Sequence, residues 1–317
     1  MAPEAQPVLA ICGPTASGKS EVAARVVEAL RERGTAVEIV CCDSMQVYRR
    51  MDIGTAKPAP AERAATPHHC VDLVEPWEAY SAADYQRDAR EAIESITSRG
   101  AVALFVGGTG LYLRAALDDV DLGEGRPDPD RRARLEQAGH SDLVDQLVRL
   151  DPERAARTDL ANPRRVLRAV EIALDRGPGA GPDRGWTARE GRPVCLAVVT
   201  PAERAELYRR IDDRVERMLR AGWLDEVRDL LADPRGMSRT ASAAIGYAEL
   251  AEVVRGDASL DDAVAAIRRR TRGYARRQFT WFCRESRAVH HRGGPDSLAA
   301  SVIEQFGRAP GVCTSPS

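Results

Sequence analysis

A parallel α/β sheet flanked by helices, interrupted by an all-helical insertion, is the fold class this sequence predicts. Three observations point to it. Apolar runs ending at glycine, aspartate or threonine occur at Val8–Cys12, Val37–Cys42, Ala101–Val106 and Pro193–Val199. Helix-patterned stretches lie between them, and apolar strands alternating with helices indicate a parallel sheet covered on both faces. Residues 118–192, between the third and fourth runs, are polar and arginine-rich with no strand pattern of their own.

Taken in order, the elements support this reading. Val8–Cys12 is a buried strand running into Gly13, and Ser20–Leu30 places Val22, Val26, Val27 and Leu30 at helical spacing. Val37–Cys42 is a second strand ending in Asp43. A helix over Ala82–Ser98 leads to the third strand, which ends in Gly107-Gly108-Thr109-Gly110. The insertion holds a Gly/Pro stretch at 177–185. After the fourth strand, helices alone are expected, at Ala202–Ala221, Trp223–Ala232 and Leu260–Arg287. The domain reading is thus a core of residues 1–117 and 193–307, a helical subdomain at 118–192, and a frayed tail at 308–317.

Bulk properties exclude several classes. A chain of 317 residues with 44% hydrophobic and 30% charged residues has the composition of a globular protein. It has no apolar run of membrane-spanning length, and the start MAPEAQPVLAICG reads as a first strand, not a secretory leader. The seven cysteines are scattered without C-x-x-C spacing, as expected of reduced thiols in the cytoplasm, and the five histidines lack a zinc-finger partner pattern. The net charge of −2 rules out a uniformly basic surface but leaves room for a local basic face, because screening acts over about 10 Å. Of 46 basic residues only Lys19 and Lys57 are lysine, and both lie in glycine-bearing motifs.

The first of these motifs is Gly13-Pro14-Thr15-Ala16-Ser17-Gly18-Lys19-Ser20, which matches G-x-x-x-x-G-K-[ST] between a strand and a helix. Its glycines let the backbone wrap an anion, and the helix start presents amides and the positive dipole end. Lys19 is expected to neutralise phosphate oxygens, and Ser20 to hold Mg²⁺. The fold class is therefore α/β of P-loop type, with a polyphosphate ligand. Asp43 lies just past a strand end, where open sheets place ligands. A carboxylate there could bind Mg²⁺ through water, take a proton from a nucleophile, or cap a turn. The stretch from Ser44 to Pro58 mixes hydrogen-bonding and flat side chains, which suits recognition of a base.

GPTASGKS, DSMQVYRRMDIGTAKP and VGGTGLY, in this order, resemble the bacterial tRNA dimethylallyltransferases, and the likeness runs from about Leu9 to Phe282. The resemblance implies a transferase that modifies tRNA, moving a dimethylallyl group from its diphosphate to the N6 amine of the adenine 3′-adjacent to the anticodon. In that reading Gly13 to Ser20 grip the diphosphate. Asp43 is the base for the amine, Ser44, Met45 and Gln46 line the base pocket, and Thr109 sits in the reaction channel. Arg214 meets the departing diphosphate; without the resemblance, Arg210 and Arg214 would read as a solvated helix face. Arg132 and the run Arg164, Arg165, Val166, Leu167 and Arg168 correspond to tRNA-touching positions. Gly246 and Tyr247 of the A-I-G-Y segment, with Arg272 and Arg276 near the end, complete that set. The partners implied are a tRNA anticodon stem-loop and dimethylallyl diphosphate, with Mg²⁺ as cofactor, no membrane, and a monomeric cytoplasmic enzyme.

Two positions depart from the family pattern. Ala243 stands where a glutamine or arginine is common, and Arg50 where glycine is usual. Other classes predict different behaviour. A small-molecule kinase would turn over ATP without RNA, a free-adenylate prenyltransferase would lack the arginine-rich insertion, and a non-catalytic RNA-binding protein would not need Asp43.

Overall fold

The structure is a computed structural model that describes residues 8–118, 120, 122, 129–176 and 192–308. The expected tail beyond Arg308 and the Gly/Pro stretch at 177–185 lie outside the described residues. The elements in order are β1 (Val8–Cys12), α1 (Lys19–Glu32), β2 (Val37–Cys42), α2 (Pro60–Ala65), β3 (His68–His69), α3 (Ala82–Ser98), β4 (Val102–Gly107) and α4 (Gly110–Leu117). Then come α5 (Pro129–Gln137), α6 (His140–Leu150), α7 (Pro152–Arg157) and α8 (Pro163–Arg176). The chain returns through β5 (Val194–Thr200), α9 (Arg204–Arg220), α10 (Trp223–Ala232), α11 (Arg239–Ser242), α12 (Tyr247–Arg255), α13 (Leu260–Phe282), β6 (Ala288–Arg292) and α14 (Pro295–Gly307).

The sheet has six parallel strands in the order β3-β2-β4-β1-β5-β6. Strand alternation splits β1 between two cores. Val8, Ala10 and Cys12 pack with α3, α4 and the helices after β5, while Leu9 and Ile11 pack with α1 and α14. Both faces are therefore buried, which is why the central strands are continuous apolar runs. The register aligns Cys12, Gly107 and Cys42 across β1, β4 and β2. The loops that follow these three strands consequently open at one edge of the sheet, the place where such folds hold ligands.

Two strands are absent from the sequence reading. β3 is two histidines, and β6 (AVHHR) is polar and mostly exposed. Each pairs on one side only, so neither needs an apolar run; the expectation of helices alone after β5 is corrected by β6. The last long helix ends at Phe282 instead of Arg287, because Arg287 turns back to bind Glu285 and Asp118.

The chain divides into two compact units, Met1–Asp118 with Glu190–Ser317, and Asp119–Arg189. The second unit has its own core of Leu135, Leu143, Leu147, Ala155, Val166, Leu167, Ala169, Val170 and Ala173. Among the described residues no helix is long and apolar enough to cross a membrane, and no group of three or more His, Cys, Asp or Glu side chains is placed to hold a metal. Six of the cysteines are free thiols, and Cys313 lies outside the described residues.

Candidate active site

The phosphate loop between β1 and α1 is shaped mainly by its own backbone. Gly13 has φ 148, and a Cβ on it would lie 2.3 Å from the Val199 carbonyl oxygen of the neighbouring β5. Gly18, φ 96, starts α1 without a side-chain cap, so the first amides of that helix stay open to an incoming anion. Ser17 N–H donates to Pro14 O at 3.2 Å, and Lys19 Nζ donates to the same oxygen at 2.6 Å. Burial first, and then the nearby Arg214 guanidinium, pull Lys19 down to about 8. Arg214 of α9 is lowered as well, by burial, with Asp43 acting against the shift. Arg214 thus disfavours the charge on Lys19, a strain that an anion beside them would relieve.

Two cavities open here. One, of about 870 Å³, is bordered by Thr15, Lys19, Ser20, Asp43, Gln46, Gly107, Gly108, Arg214 and Gln278, among others. The other, of about 300 Å³, is bordered by Ser44, Met45, Gly54, Trp223, Ala243 and Tyr247, among others. Thr15, Asp43, Arg214 and Tyr274 border both. A large cavity beside the glycine loop and a smaller one with aromatic residues in its lining thus share a wall that holds a carboxylate and a guanidinium.

Asp43 uses one carboxylate oxygen to accept from Met45 N–H at 2.8 Å, an Asx turn that aims the group and leaves its second oxygen available. Thr109 lies behind the wall and lines neither cavity. Its hydroxyl oxygen accepts from Ser44 N–H at 3.3 Å and also pairs with the Tyr274 hydroxyl. Burial and the Asp43 charge push the Tyr274 phenol up, so it stays neutral.

The loop from 43 to 58 is held by side chains. The Lys57 ammonium is 1% exposed and donates to Tyr48 O at 2.8 Å, Asp52 Oδ1 at 2.5 Å and Asp72 Oδ1 at 2.6 Å. All three of its N–H groups are engaged within the protein, so the second lysine is a structural tie. Burial raises the Asp72 carboxyl, but Lys57 and Arg63 outweigh that and hold it below its usual range. Glu226 of α10 accepts from three successive amides, Asp52 at 2.8 Å, Ile53 at 2.7 Å and Gly54 at 3.2 Å, and from the Tyr247 hydroxyl at 2.6 Å. Arg50 adopts φ 63, the left-handed conformation that explains why glycine is usual at this turn. Its guanidinium pairs with Asp233 at 2.7 Å, which fixes the turn despite the side chain.

The residues expected to touch RNA divide. Val166 and Leu167 are buried in the core of the second unit, so they do not face RNA; the helical period sends them inward and leaves Arg164 and Arg165 exposed. Arg132 and Arg168 both pair with Glu171, whose carboxylate is almost fully buried. Gly246 and Tyr247 sit inside the unit and not on its outer surface. Both are buried, Gly246 N–H donating to Glu249 at 2.8 Å and Tyr247 fixed by Glu226 while it borders the smaller cavity. Arg272 is held by Asp212 at 2.5 Å, and Arg276 is exposed. Arg210 pairs with Glu206 and borders a third cavity with Ala16, Gly18, Lys19, Ser20 and Arg214, so it faces the phosphate loop. Glu226, Tyr274, Trp223 and Gln278 carry no sequence signal that marks them as functional positions. Tyr274 and Gln278 lie in the arginine-aromatic run, but nothing in their spacing marks their partners.

A model of the IPP transferase family matches residues 46–285, well over half of the chain. The chain belongs to that family. Its relatives include the tRNA dimethylallyltransferase 1 of Citrifermentans bemidjiense, 43% identical over 301 residues and covering 94% of this chain and 96% of the relative. The tRNA dimethylallyltransferase of Kineococcus radiotolerans is 43% identical over 312 residues with the same coverage. Among solved structures, the tRNA isopentenylpyrophosphate transferase of Bacillus halodurans is 34% identical with a TM-score of 0.68, covering 94% of this chain and 95% of that one. A eukaryotic dimethylallyltransferase captured acting on tRNA is 25% identical with a TM-score of 0.75, covering 96% of this chain and 76% of its own.

Proposed function

We propose that this chain is a tRNA dimethylallyltransferase, moving the dimethylallyl group of dimethylallyl diphosphate onto the N6 amine of the adenine 3′-adjacent to the anticodon in tRNA and releasing diphosphate. The observation that carries the reading is the shared wall, where Asp43 and Arg214 border both cavities. Full-length likeness to tRNA dimethylallyltransferases supports the choice of substrates.

The adenine amine is a weak nucleophile, and the allylic carbon compensates by carrying positive charge as its bond to oxygen stretches. The N6–C1 bond forms, the C1–O bond breaks with its electron pair leaving on diphosphate, and Asp43 accepts the amine proton. The open amides at the start of α1, Lys19 and Arg214 stabilise the leaving charge, a type of contribution worth about 10²–10³-fold per donor. Ser44, Met45, Trp223 and Tyr247 border the space for an extruded base, and Tyr274 helps close the reacting centre to water.

Mg²⁺ fits the oxygen chemistry of this edge. Ser20 is an exposed hydroxyl on the larger cavity, suited to an ion whose other ligands are phosphate oxygens and water. When bound it would neutralise diphosphate charge beside Ser20. Arg164 and Arg165, exposed on α8, supply phosphate contacts to the anticodon stem, and Arg276 adds another. Both loops of the site come from one chain, so a monomer suffices to build it.

The deciding experiment incubates purified protein, unmodified tRNA, Mg²⁺ and dimethylallyl diphosphate, followed by mass analysis of nucleosides. Isopentenyladenosine next to the anticodon is the expected product. ATP consumption, or modification of free AMP with none of tRNA, would replace this reading with a kinase or a free-nucleotide prenyltransferase.

A further inference from the structure

Gln278 sits within α13 and is only 6% exposed, and both ends of its carboxamide are used across the chain. Oε1 accepts from Thr15 N–H at 2.8 Å, and Nε2 donates to Gly108 O at 2.9 Å. Thr15 belongs to the phosphate loop, and Gly108 immediately precedes Thr109. A Cβ on Gly108 would lie 2.1 Å from Nε2 and 3.0 Å from Gly13 O, so the two glycine loops run close together with this amide packed against them. Few side chains offer one acceptor and one donor in that geometry. The Thr15 amide is satisfied by protein, which leaves the anion to the amides further along the loop and at the start of α1.

We propose that Gln278 is a positioning residue for the transfer: its carboxamide clamps the phosphate loop to the loop carrying Thr109. The clamp fixes where the diphosphate end of the donor stands relative to the acceptor wall. This deepens the proposed function and rests on it. Its consequence is geometric, because a misplacement of about 1 Å between reacting atoms costs on the order of 10²-fold in rate.

Gln278→Glu makes a test that a merely structural role would not pass. An ionised carboxylate can still accept from Thr15 N–H but faces the Gly108 oxygen with no proton to give. A neutral carboxyl restores both bonds. The groups sharing its surroundings are Lys19 of α1, Asp43 after β2, Arg214 and Arg217 of α9, and Tyr274 of α13. All are present in the native chain too, so the ratio of variant to native kcat divides out their own titration. We expect that ratio to be about 10⁻² near neutral pH and to climb toward one as pH falls and the buried carboxyl takes up a proton. Gln278→Met, which can make neither bond, should stay about 10²-fold down at every pH. Donor affinity and tRNA KM should move less than about threefold in both, since a loss confined to kcat is what a positioning effect predicts.

A pH-independent ratio for Gln278→Glu, or equal losses in donor binding and kcat, would overturn the clamp. If neither Gln278 variant folds, Gly108→Ala displaces the amide without altering it and must lower kcat in the same way; native-like kcat there would also overturn it. Native protein that binds the donor yet modifies no tRNA refutes the proposed function instead, and the two failures are told apart by the native control.

Discussion

The loop at residues 13–20 and the loop at residues 43–58 border the same cavity but keep their shapes by different means. The first relies mostly on local backbone: two glycines at φ 148 and φ 96, a turn bond from Ser17 to Pro14 and one short reach by Lys19, with a single distant side-chain tie from Gln278 to the Thr15 amide. The second relies on side chains arriving from elsewhere. Glu226 reaches it from 174 residues further along the chain, and Asp72 reaches Lys57 from 15 residues away. A mostly locally shaped loop suits the anion proposed for it. A remotely shaped loop ties the base side of the cavity to α10, so recognition depends on the packing of the whole unit.

The sharpest way to break this contrast is at the wall both loops share. Asp43→Ala should lower the transfer rate by about 10²–10⁴-fold, as loss of a proton acceptor does, with donor and tRNA binding retained. Single-turnover rates with bound tRNA would measure it, and an unchanged rate would remove Asp43 from the chemistry.

Next in size is Glu226→Gln. It keeps one acceptor oxygen but loses the charge that gathers three amides, and hydrogen bonds to charged groups contribute roughly 1.5–3 kcal/mol. We expect KM for tRNA to rise about tenfold while donor affinity changes less than about twofold. If donor affinity fell equally, the two loops would not be separately held.

The phosphate side has a pH signature of its own. Lys19 sits near 8 in the free protein, and bound diphosphate would raise it again. As pH climbs above 8 the free protein loses this proton first, so binding must take one up. The donor Kd should then increase by up to about tenfold per pH unit, with no Lys19-linked change below that range. Calorimetry in buffers of different ionisation heat would detect the proton uptake, and a flat Kd across the range would contradict it.

The smallest effect lies outside both loops. Arg164→Ala on α8 should reduce the slope of log affinity against log salt by about 0.7–0.9 and weaken tRNA binding modestly. Leu167→Ala on the same helix should instead destabilise the second unit by about 2–5 kcal/mol and leave the slope unchanged. An altered slope in Leu167→Ala would return that residue to the RNA face.

Much of the site was legible in the sequence for one reason, that short-range backbone rules leave short-range motifs. The loop from Gly13 to Ser20, the aspartate at a strand end and the glycines after β4 all follow from strand-loop-helix geometry. Gln278 and Glu226 were illegible because their partners are Thr15, Gly108 and residues 52–54, and no spacing rule connects positions so far apart. Val166 and Leu167 were assigned by motif to RNA, although the same helical period that exposes Arg164 buries them. Edge strands β3 and β6 escaped because one-sided pairing needs no apolar pattern.

By itself the sequence determined the parallel sheet, the glycine loop between β1 and α1, and the family, since strand burial and positive-φ glycines impose composition directly on neighbouring residues. The tertiary structure alone decided which oxygens Lys57 ties, which arginines pair with Glu171, and how Gln278 joins two glycine loops. Hydrogen-bond partners are chosen by distance in space, and the chain's order does not encode that distance until the core has packed.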